Sequence, residues 1–542
     1  MPQISNWYKH AVFYEINVRS FYDSSGDGIG DIQGVIQKLD YLEYLGVNCI
    51  WLLPINPSPL RDGGYDITNY TDIHADYGNL DDFKALTKAA HSKGIRIITD
   101  LVLNHTSVAH PWFQEARLDK NSPYRNYYVW SDDDKKYKDT RIIFTDTEES
   151  NWSWDDEAGQ YYWHRFFSHQ PDLNYDNEAV HQKMLGIMKF WLDLGIDGFR
   201  LDAIPYLYER EGTTSENLIE TIDFLKRTRQ FVDSINPEAV LLAEANQWPE
   251  DTIPYFGEGD VLQMAFHFPL MPRIYLALAQ ETREPILDIL ARTQEIPENT
   301  QWCLFLRNHD ELTLEMVSDE ERNRLWEHYA PSKDMRLNLG IRRRLAPLLD
   351  HEIERILLAN SLIMTMPGSP VIYYGDEIGM ADDTSRPDRD GVRAPMQWDN
   401  TESAGFSAQR PEMLFAMPLR QDNSQPIHAN VKQQREDQGS LLERMRHLLK
   451  IREQYALFST SNLSWENHNF PTSILAFKRY EADQELLILH NLSTREQVVE
   501  FDFPNRDAPT NVITNRIFGL LENNRLRAKL SPHEFVWLEI NI

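Results

Sequence analysis

Three acidic residues close apolar runs of this chain in the same manner. They are Asp202 in Gly198-Phe199-Arg200-Leu201-Asp202, Glu244 in Val240-Leu241-Leu242-Ala243-Glu244 and Asp310 in Leu304-Phe305-Leu306-Arg307-Asn308-His309-Asp310. Carboxyl groups set at strand ends can carry out glycosyl transfer: one attacks an anomeric carbon while a protonated partner about 5 Å away donates to the leaving oxygen. Arg200, two positions before Asp202, would share its strand face and favour the ionised form that a nucleophile needs. Glu244 suits the acid/base, which needs a less compensated setting. Asp310 would then hold substrate hydroxyls and stabilise the transition state. His105 and His309 also end such runs, and an imidazole can donate to sugar hydroxyls. Taken singly, each carboxylate could merely pair with an arginine and each histidine could be a structural hydrogen-bonding group; the constellation is what argues for a site.

The elements that must position these groups are short β-rich runs alternating with helical patterns. Eight such runs are present: Val12 to Phe21, Val47 to Pro54, Ile95 to His105, Ile196 to Ile204, Ala239 to Asn246, Val261 to Phe268, Trp302 to Asp310 and Pro370 to Asp376. Between the first two, Ile32, Val35, Ile36, Leu39, Leu42 and Leu45 make one helix face that Gly46 closes. Before the fourth, Met184, Ile187, Met188, Trp191 and Leu192 do the same, with Gly195 at the end. The pattern predicts an α/β fold, a closed (β/α)8 TIM barrel whose catalytic groups sit where strands run into the following loops. Residues 1–103 would form its first part. An inserted loop domain would follow strand 3 over 104–173, because compact connections are usually about six residues long. The barrel would resume over 174–459, with excursions at 311–350 and 380–440 flanking its mouth, and 460–542 would fold as a C-terminal antiparallel β-sandwich.

Composition narrows the partners. A net charge of −30 over 542 residues repels phosphate backbones and anionic lipid, which argues against nucleic acid and membrane surfaces and leaves a neutral sugar indifferent. Fourteen Trp, 24 Tyr and 24 Phe suit stacking on sugar rings as well as core packing. The two cysteines, Cys49 and Cys303, lie inside apolar runs and read as buried free thiols of a reducing compartment. No basic segment followed by an apolar stretch opens the chain, and no apolar run reaches membrane-spanning length, so a cytoplasmic location is expected.

The run Asp23-Ser24-Ser25-Gly26-Asp27-Gly28-Ile29-Gly30-Asp31 sets oxygen donors at alternate positions with glycine at the sixth, as calcium loops do. Gly34 stands where the closing glutamate would be, so Asp31 would have to close the loop.

The segments Asp100-Leu101-Val102-Leu103-Asn104-His105, Gly198 to Asp202, Leu242 to Ala245 and Leu306 to Asp310 resemble the four motifs of the α-amylase superfamily, glycoside hydrolase family 13. The resemblance implies Asp202 as nucleophile, Glu244 as acid/base and Asp310 as transition-state stabiliser, with Arg200, His105 and His309 holding the sugar at the cleavage point. It also implies that Asp62, Tyr65 and Arg393 grip a terminal glucose, Asp62 and Arg393 meeting across the pocket, with Gln170 a further candidate. For metals it implies structural Ca2+ at Asp23, Ser25, Asp27, the Ile29 carbonyl and Asp31, where Mg2+ stays an alternative. A second calcium would sit at Asn104, Asp172, Glu209 and the carbonyls of Tyr206 and Leu207. No organic cofactor is implied.

Within the family, Asp260 to Arg273, Ala243 to Pro249, Asn308 to Met316 and Gly391 to Trp398 resemble the members that interconvert maltose and trehalose. There Asn246, Glu311, Glu315 and Arg141 are expected to close the pocket around a disaccharide. Ala394 and the loop from Asp382 to Asp390 depart from the usual pattern and bear on substrate preference and side hydrolysis. An exo-acting α-glucosidase or another disaccharide isomerase would share every catalytic residue. A non-catalytic sugar-binding relative would normally have lost an acid, and none is missing. Homo-oligomerisation and a maltokinase partner come with the resemblance alone; no fused kinase is expected in the chain.

Overall fold

The computed structural model describes residues 6–419, 429–466, 470–503 and 507–540; the part of the 380–440 excursion at 420–428 lies outside them. Eight parallel strands close a barrel in which every chain neighbour is also a neighbour in space. They are β1 (Phe13–Ile16), β2 (Cys49–Leu52), β3 (Arg96–Val102), β4 (Gly198–Asp202), β5 (Val240–Ala243), β6 (Met264–Phe266), β7 (Gln301–Phe305) and β8 (Ser369–Tyr373). Six fall within the predicted runs, while β7 and β8 begin one residue before theirs, at Gln301 and Ser369; each is buried on both faces except at Arg96, as an all-parallel sheet wrapped in helices must be.

Local chemistry sets the element ends. Asn79 and Asp82 form a reciprocal capping box on helix Leu80–Ser92, which feeds β3. Asn177 caps helix Glu178–Asp193, whose Val180, Met184, Ile187, Met188 and Trp191 are buried before β4 begins. Gly198 opens β4 at φ +153°, and a Cβ there would stand 2.1 Å from the Val240 carbonyl oxygen. Only glycine lets β4 and β5 approach this closely, which fixes where the Arg200 to Asp202 segment lies beside Glu244.

Between β3 and the helix before β4, residues 104–173 carry helix Pro111–Leu118 and a three-stranded antiparallel sheet of Trp130–Ser131, Gln160–Trp163 and Trp152–Asp155. The bridges His105 to Asp172 and Tyr128 to Leu173 pin both ends of this insertion to the mouth of the barrel. The excursion after β7 contains helix Asp319–Tyr329 and a two-residue ladder, tied back through Leu312 and Ile341. From Leu463 onward a six-stranded and a three-stranded antiparallel sheet pack face to face around Ile474, Leu487, Leu489, Val499, Leu526 and Leu538. The larger sheet also leans on the barrel helix Ile353–Thr365, where Trp537 donates its indole N–H to Ser361 Oγ at 2.9 Å. Cys49 and Cys303 are buried and free on β2 and β7. No helix among the described residues is long and apolar enough to cross a membrane.

Candidate active site

Parallel register does the first part of the assembly. Asp100 on β3 lies beside Arg200 on β4, and the arginine donates to it at 2.6 Å. The same guanidinium bonds Asp202 through Nη1 and Glu244 through Nη2, so three carboxyl groups share one fully buried cation. Arg200 therefore serves both reacting acids, where the sequence had set it beside Asp202 alone. Glu244 Oε2 also accepts the Ala203 backbone N–H at 3.0 Å.

Burial, rather than the absence of a cation, separates the two. It pushes Asp202 up to about 6 against the pull of Arg200, with Asp100 adding to the rise. It pushes Glu244 further, to about 8, because Asp202 and Asp310 repel its charge and Arg200 only partly offsets them. Near neutrality the pair thus holds one ionised and one protonated carboxyl. For Asp310 burial also acts upward, but His309, Arg389, Arg393 and Arg200 around it outweigh that and hold its carboxylate well below the usual range. Arg389 and Arg393 lie 3.1 and 3.2 Å from Asp310 Oδ1.

The walls complete a pocket of about 840 Å³, mouth included. Tyr65 stacks on His309 with ring centroids 5.3 Å apart and donates to Asp100 at 3.2 Å. His105 lines the wall, and burial drives its pKa down to about 3, so the ring stays neutral. Nε2 of His105, Nε2 of His309 and Oδ1 of Asn246 have no hydrogen-bond partner among the described residues. Buried polar atoms in this state are sites for sugar hydroxyls. Asn246 donates to Thr313 at 3.2 Å. Across the mouth, Arg141 of the inserted domain pairs with Glu216 and Glu315, both at 2.8 Å. Glu311 takes Arg389 at 2.7 Å and Asn338 at 3.0 Å. Ion pairs from four separate segments thus border the pocket mouth.

One expectation is corrected. Asp62 and Arg393 do not meet: Asp62 accepts from Gln170 at 2.8 Å, while Arg393 is drawn to Asp310 and the His309 carbonyl. Gly63 permits this, since a Cβ there would stand 2.3 Å from Arg393 Nη1. The Asp23 loop braces its carboxylates with its own backbone. Both oxygens of Asp23 and of Asp31 already accept backbone N–H groups, from Gly26, Gly28, Gly34, Ser24 and Ser25. Ser25 Oγ turns to Asp23, and the Ile29 N–H donates to Asp27.

The other set, Asn104, Asp172 and Glu209, fits a hard cation. Asn104 Oδ1, Asp172 Oδ2 and Glu209 Oε1 are all buried without a partner among the described residues. Burial pushes Asp172 up to about 8 and Glu209 well above its usual range, each carrying a cost that a divalent ion would offset. Tyr206 and Leu207, whose carbonyls would complete the set, follow β4 directly and are buried.

Sequence reasoning missed Arg389, which stands in a loop whose partners come from residues far away in the chain. It named Asp100 without giving it a role. It also missed Glu15, although a lone carboxylate between Tyr14 and Ile16 of a buried strand is a visible anomaly.

Compared with known proteins, residues 15–335 and 341–461 match the alpha amylase catalytic domain, and residues 465–537 match the maltogenic amylase C-terminal domain. A trehalose synthase/amylase of Mycobacterium tuberculosis is 52% identical over all of this chain and 91% of its own length. A trehalose synthase of Pimelobacter is 50% identical over 98% of this chain and 96% of its own. Among solved structures, an alpha-amylase from H.orenii superposes with a TM-score of 0.78 at 31% identity, over 98% of this chain and 99% of that one.

Proposed function

We propose that this chain, which belongs to the α-amylase family, interconverts maltose and trehalose by intramolecular, retaining glucosyl transfer, with some hydrolysis to glucose. The observation that carries the reading is the ring of ion pairs at the pocket mouth. The reacting carboxyls sit under ion pairs contributed by the inserted domain and by the loops after β4, β7 and β8, and relatives at about half identity over the whole chain are named for this product.

The geometry supports the following course. Ionised Asp202 attacks the anomeric carbon of the non-reducing glucose of maltose while protonated Glu244 gives its proton to the departing 4-oxygen, forming a β-glucosyl ester. Released glucose stays beneath the lid and turns its anomeric hydroxyl toward Glu244, now a carboxylate. Glu244 takes that proton, the oxygen attacks the same anomeric carbon, Asp202 leaves, and an α,α-1,1 linkage results. Two inversions preserve the α configuration. Asp310 and the neutral histidines hold the ring hydroxyls throughout. A held acceptor reaches an effective molarity of about 10⁵ M or more, far above that of water, so enclosure separates isomerase from hydrolase.

A divalent cation, Ca2+ by donor type, belongs to this proposal at Asn104, Asp172, Glu209 and the Tyr206 and Leu207 carbonyls. It would supply positive charge that fastens the inserted domain to the strand ends and takes no part in bond making. The Asp23 loop remains a proposed second site for Ca2+ or Mg2+. A cytoplasmic location, self-association and a maltokinase partner are proposals of the same standing.

The test is incubation of the purified protein with maltose, following anomeric protons by NMR, beside Asp202→Ala. Trehalose as the major product, absent with the variant, supports the reading. Glucose alone would make the chain an exo-acting α-glucosidase.

A further inference from the structure

Glu15 lies on β1, fully buried, with its carboxyl turned to His309. Its Oε1 is 2.5 Å from Nδ1 of that ring and accepts the His309 backbone N–H at 3.1 Å, while Oε2 has no partner among the described residues. The imidazole itself cannot turn. Tyr65 stacks on one face at an interplanar angle of 9°, and Trp51 meets it edge-on at 5.9 Å. Its other nitrogen, Nε2, stands 3.1 Å from Asp310 Oδ2.

Two nitrogens and one proton decide the rest. Burial and the nearby arginines keep His309 neutral, so only one ring nitrogen carries hydrogen. Asp310 is held ionised by Arg389 and Arg393, and an unprotonated Nε2 would set a second electron-rich atom 3.1 Å from that negative oxygen. The proton therefore belongs on Nε2. Nδ1 is then an acceptor, and the oxygen 2.5 Å from it must be the donor.

We propose that Glu15 is a positioning residue for glucosyl transfer: it remains a neutral carboxylic acid, donates to Nδ1 of His309, and so fixes the imidazole as the Nε2–H form, its N–H left beside Asp310 for a sugar hydroxyl. The surroundings agree, since burial first, and then Asp310 and Asp100, push the Glu15 carboxyl well above its usual range, against the His309 backbone N–H and Arg200. A buried acid kept protonated in order to donate is a known way of organising an active site. The role rests on the glucosyl-transfer reading for its consequence but not for its geometry.

The experiment pairs two readouts on the full chain. Long-range ¹⁵N–¹H correlation of ¹⁵N-histidine-labelled protein without sugar reports the His309 tautomer, the signal being assigned by its loss in His309→Asn. Maltose kinetics report the consequence. Wild type is expected to show the neutral Nε2–H form. Glu15→Gln, whose amide N–H can donate to Nδ1 and cannot ionise but cannot also accept the His309 backbone N–H, should keep that form and lose less kcat/KM than Glu15→Met. Glu15→Met should release the tautomer and lower kcat/KM by about 10–100-fold, the usual effect of losing a group that orients an active-site histidine, mainly through kcat. An imidazolium or an Nδ1–H tautomer in wild type would overturn the proposal, as would Glu15→Met leaving both readouts unmoved. If Glu15→Met does not fold, the wild-type tautomer and Glu15→Gln still decide. Failure of wild type to form trehalose with the Nε2–H tautomer present would instead sink the glucosyl-transfer reading alone.

Discussion

Asp202 and Glu244 hang on one guanidinium yet are kept in different protonation states by how much negative charge each faces once buried. The first step needs Asp202 ionised and Glu244 protonated. Protonating Asp202 below about 6, or ionising Glu244 above about 8, removes the competent form. A profile of kcat/KM against pH should therefore be bell-shaped, with its maximum near neutrality and limbs that belong to the coupled pair rather than to either acid alone. A flat profile from pH 5 to 9, taking those bounds as about a unit beyond each limb, would contradict this assignment. Glu244→Gln keeps shape but cannot give or take the proton, and should lower maltose turnover by about 10²–10⁴-fold. Activated substrates whose leaving group needs no proton would recover most of the loss in the first step; equal loss on both would remove Glu244 from the acid role. At this scale the three acids were legible because each ends an apolar run. The partners of Asp62 and Arg393 were not, because which oxygen an arginine reaches depends on chain segments that no local pattern brings together.

Among the elements, the inserted domain carries the selectivity argument. Arg141 reaches from it to Glu315 beyond β7 and to Glu216 beyond β4, so Arg141→Ala loosens the cover without touching the reacting acids. Its glucose-to-trehalose product ratio should rise by about tenfold or less, corresponding to about 1.4 kcal/mol lost in acceptor retention. Chromatographic product ratios at equal maltose conversion check this, and an unchanged ratio would move selectivity elsewhere. The same domain is fastened where Asn104, Asp172 and Glu209 leave three buried oxygens without partners. Calcium removal by a chelator should lower Tm by a few degrees, since a ligand held at 100 times its Kd stabilises by about 2.7 kcal/mol. Asp172→Asn should abolish the chelator's effect, and a Tm insensitive to chelator and to added calcium would argue against the site. The oxygen spacing of the Asp23 loop could be read in the sequence, but the backbone N–H groups that satisfy its carboxylates arise only from the turn it folds into.

For the whole molecule, eight strand runs, their helices and the terminal sandwich were legible because buried parallel strands and helix faces impose periods of their own on sequence. The seam between barrel and sandwich was not, since it joins Ser361 to Trp537 across 176 positions. Trp537→Ala should destabilise the chain by about 3–5 kcal/mol, seen in urea unfolding, because it empties a fully buried site and removes a hydrogen bond to Ser361, which keeps His490 as its other partner. Turnover per folded molecule should be nearly unchanged, as the seam lies outside the pocket. The central claim is that the glucose released in the first half-reaction never leaves the closed pocket. It is tested most directly by converting unlabelled maltose in the presence of excess ¹³C-glucose and examining trehalose by mass spectrometry at early times. The account expects trehalose almost wholly unlabelled, with label confined to free glucose. Trehalose carrying one labelled ring in proportion to the added glucose would show that the acceptor exchanges with solvent, and the enclosed transfer would be wrong.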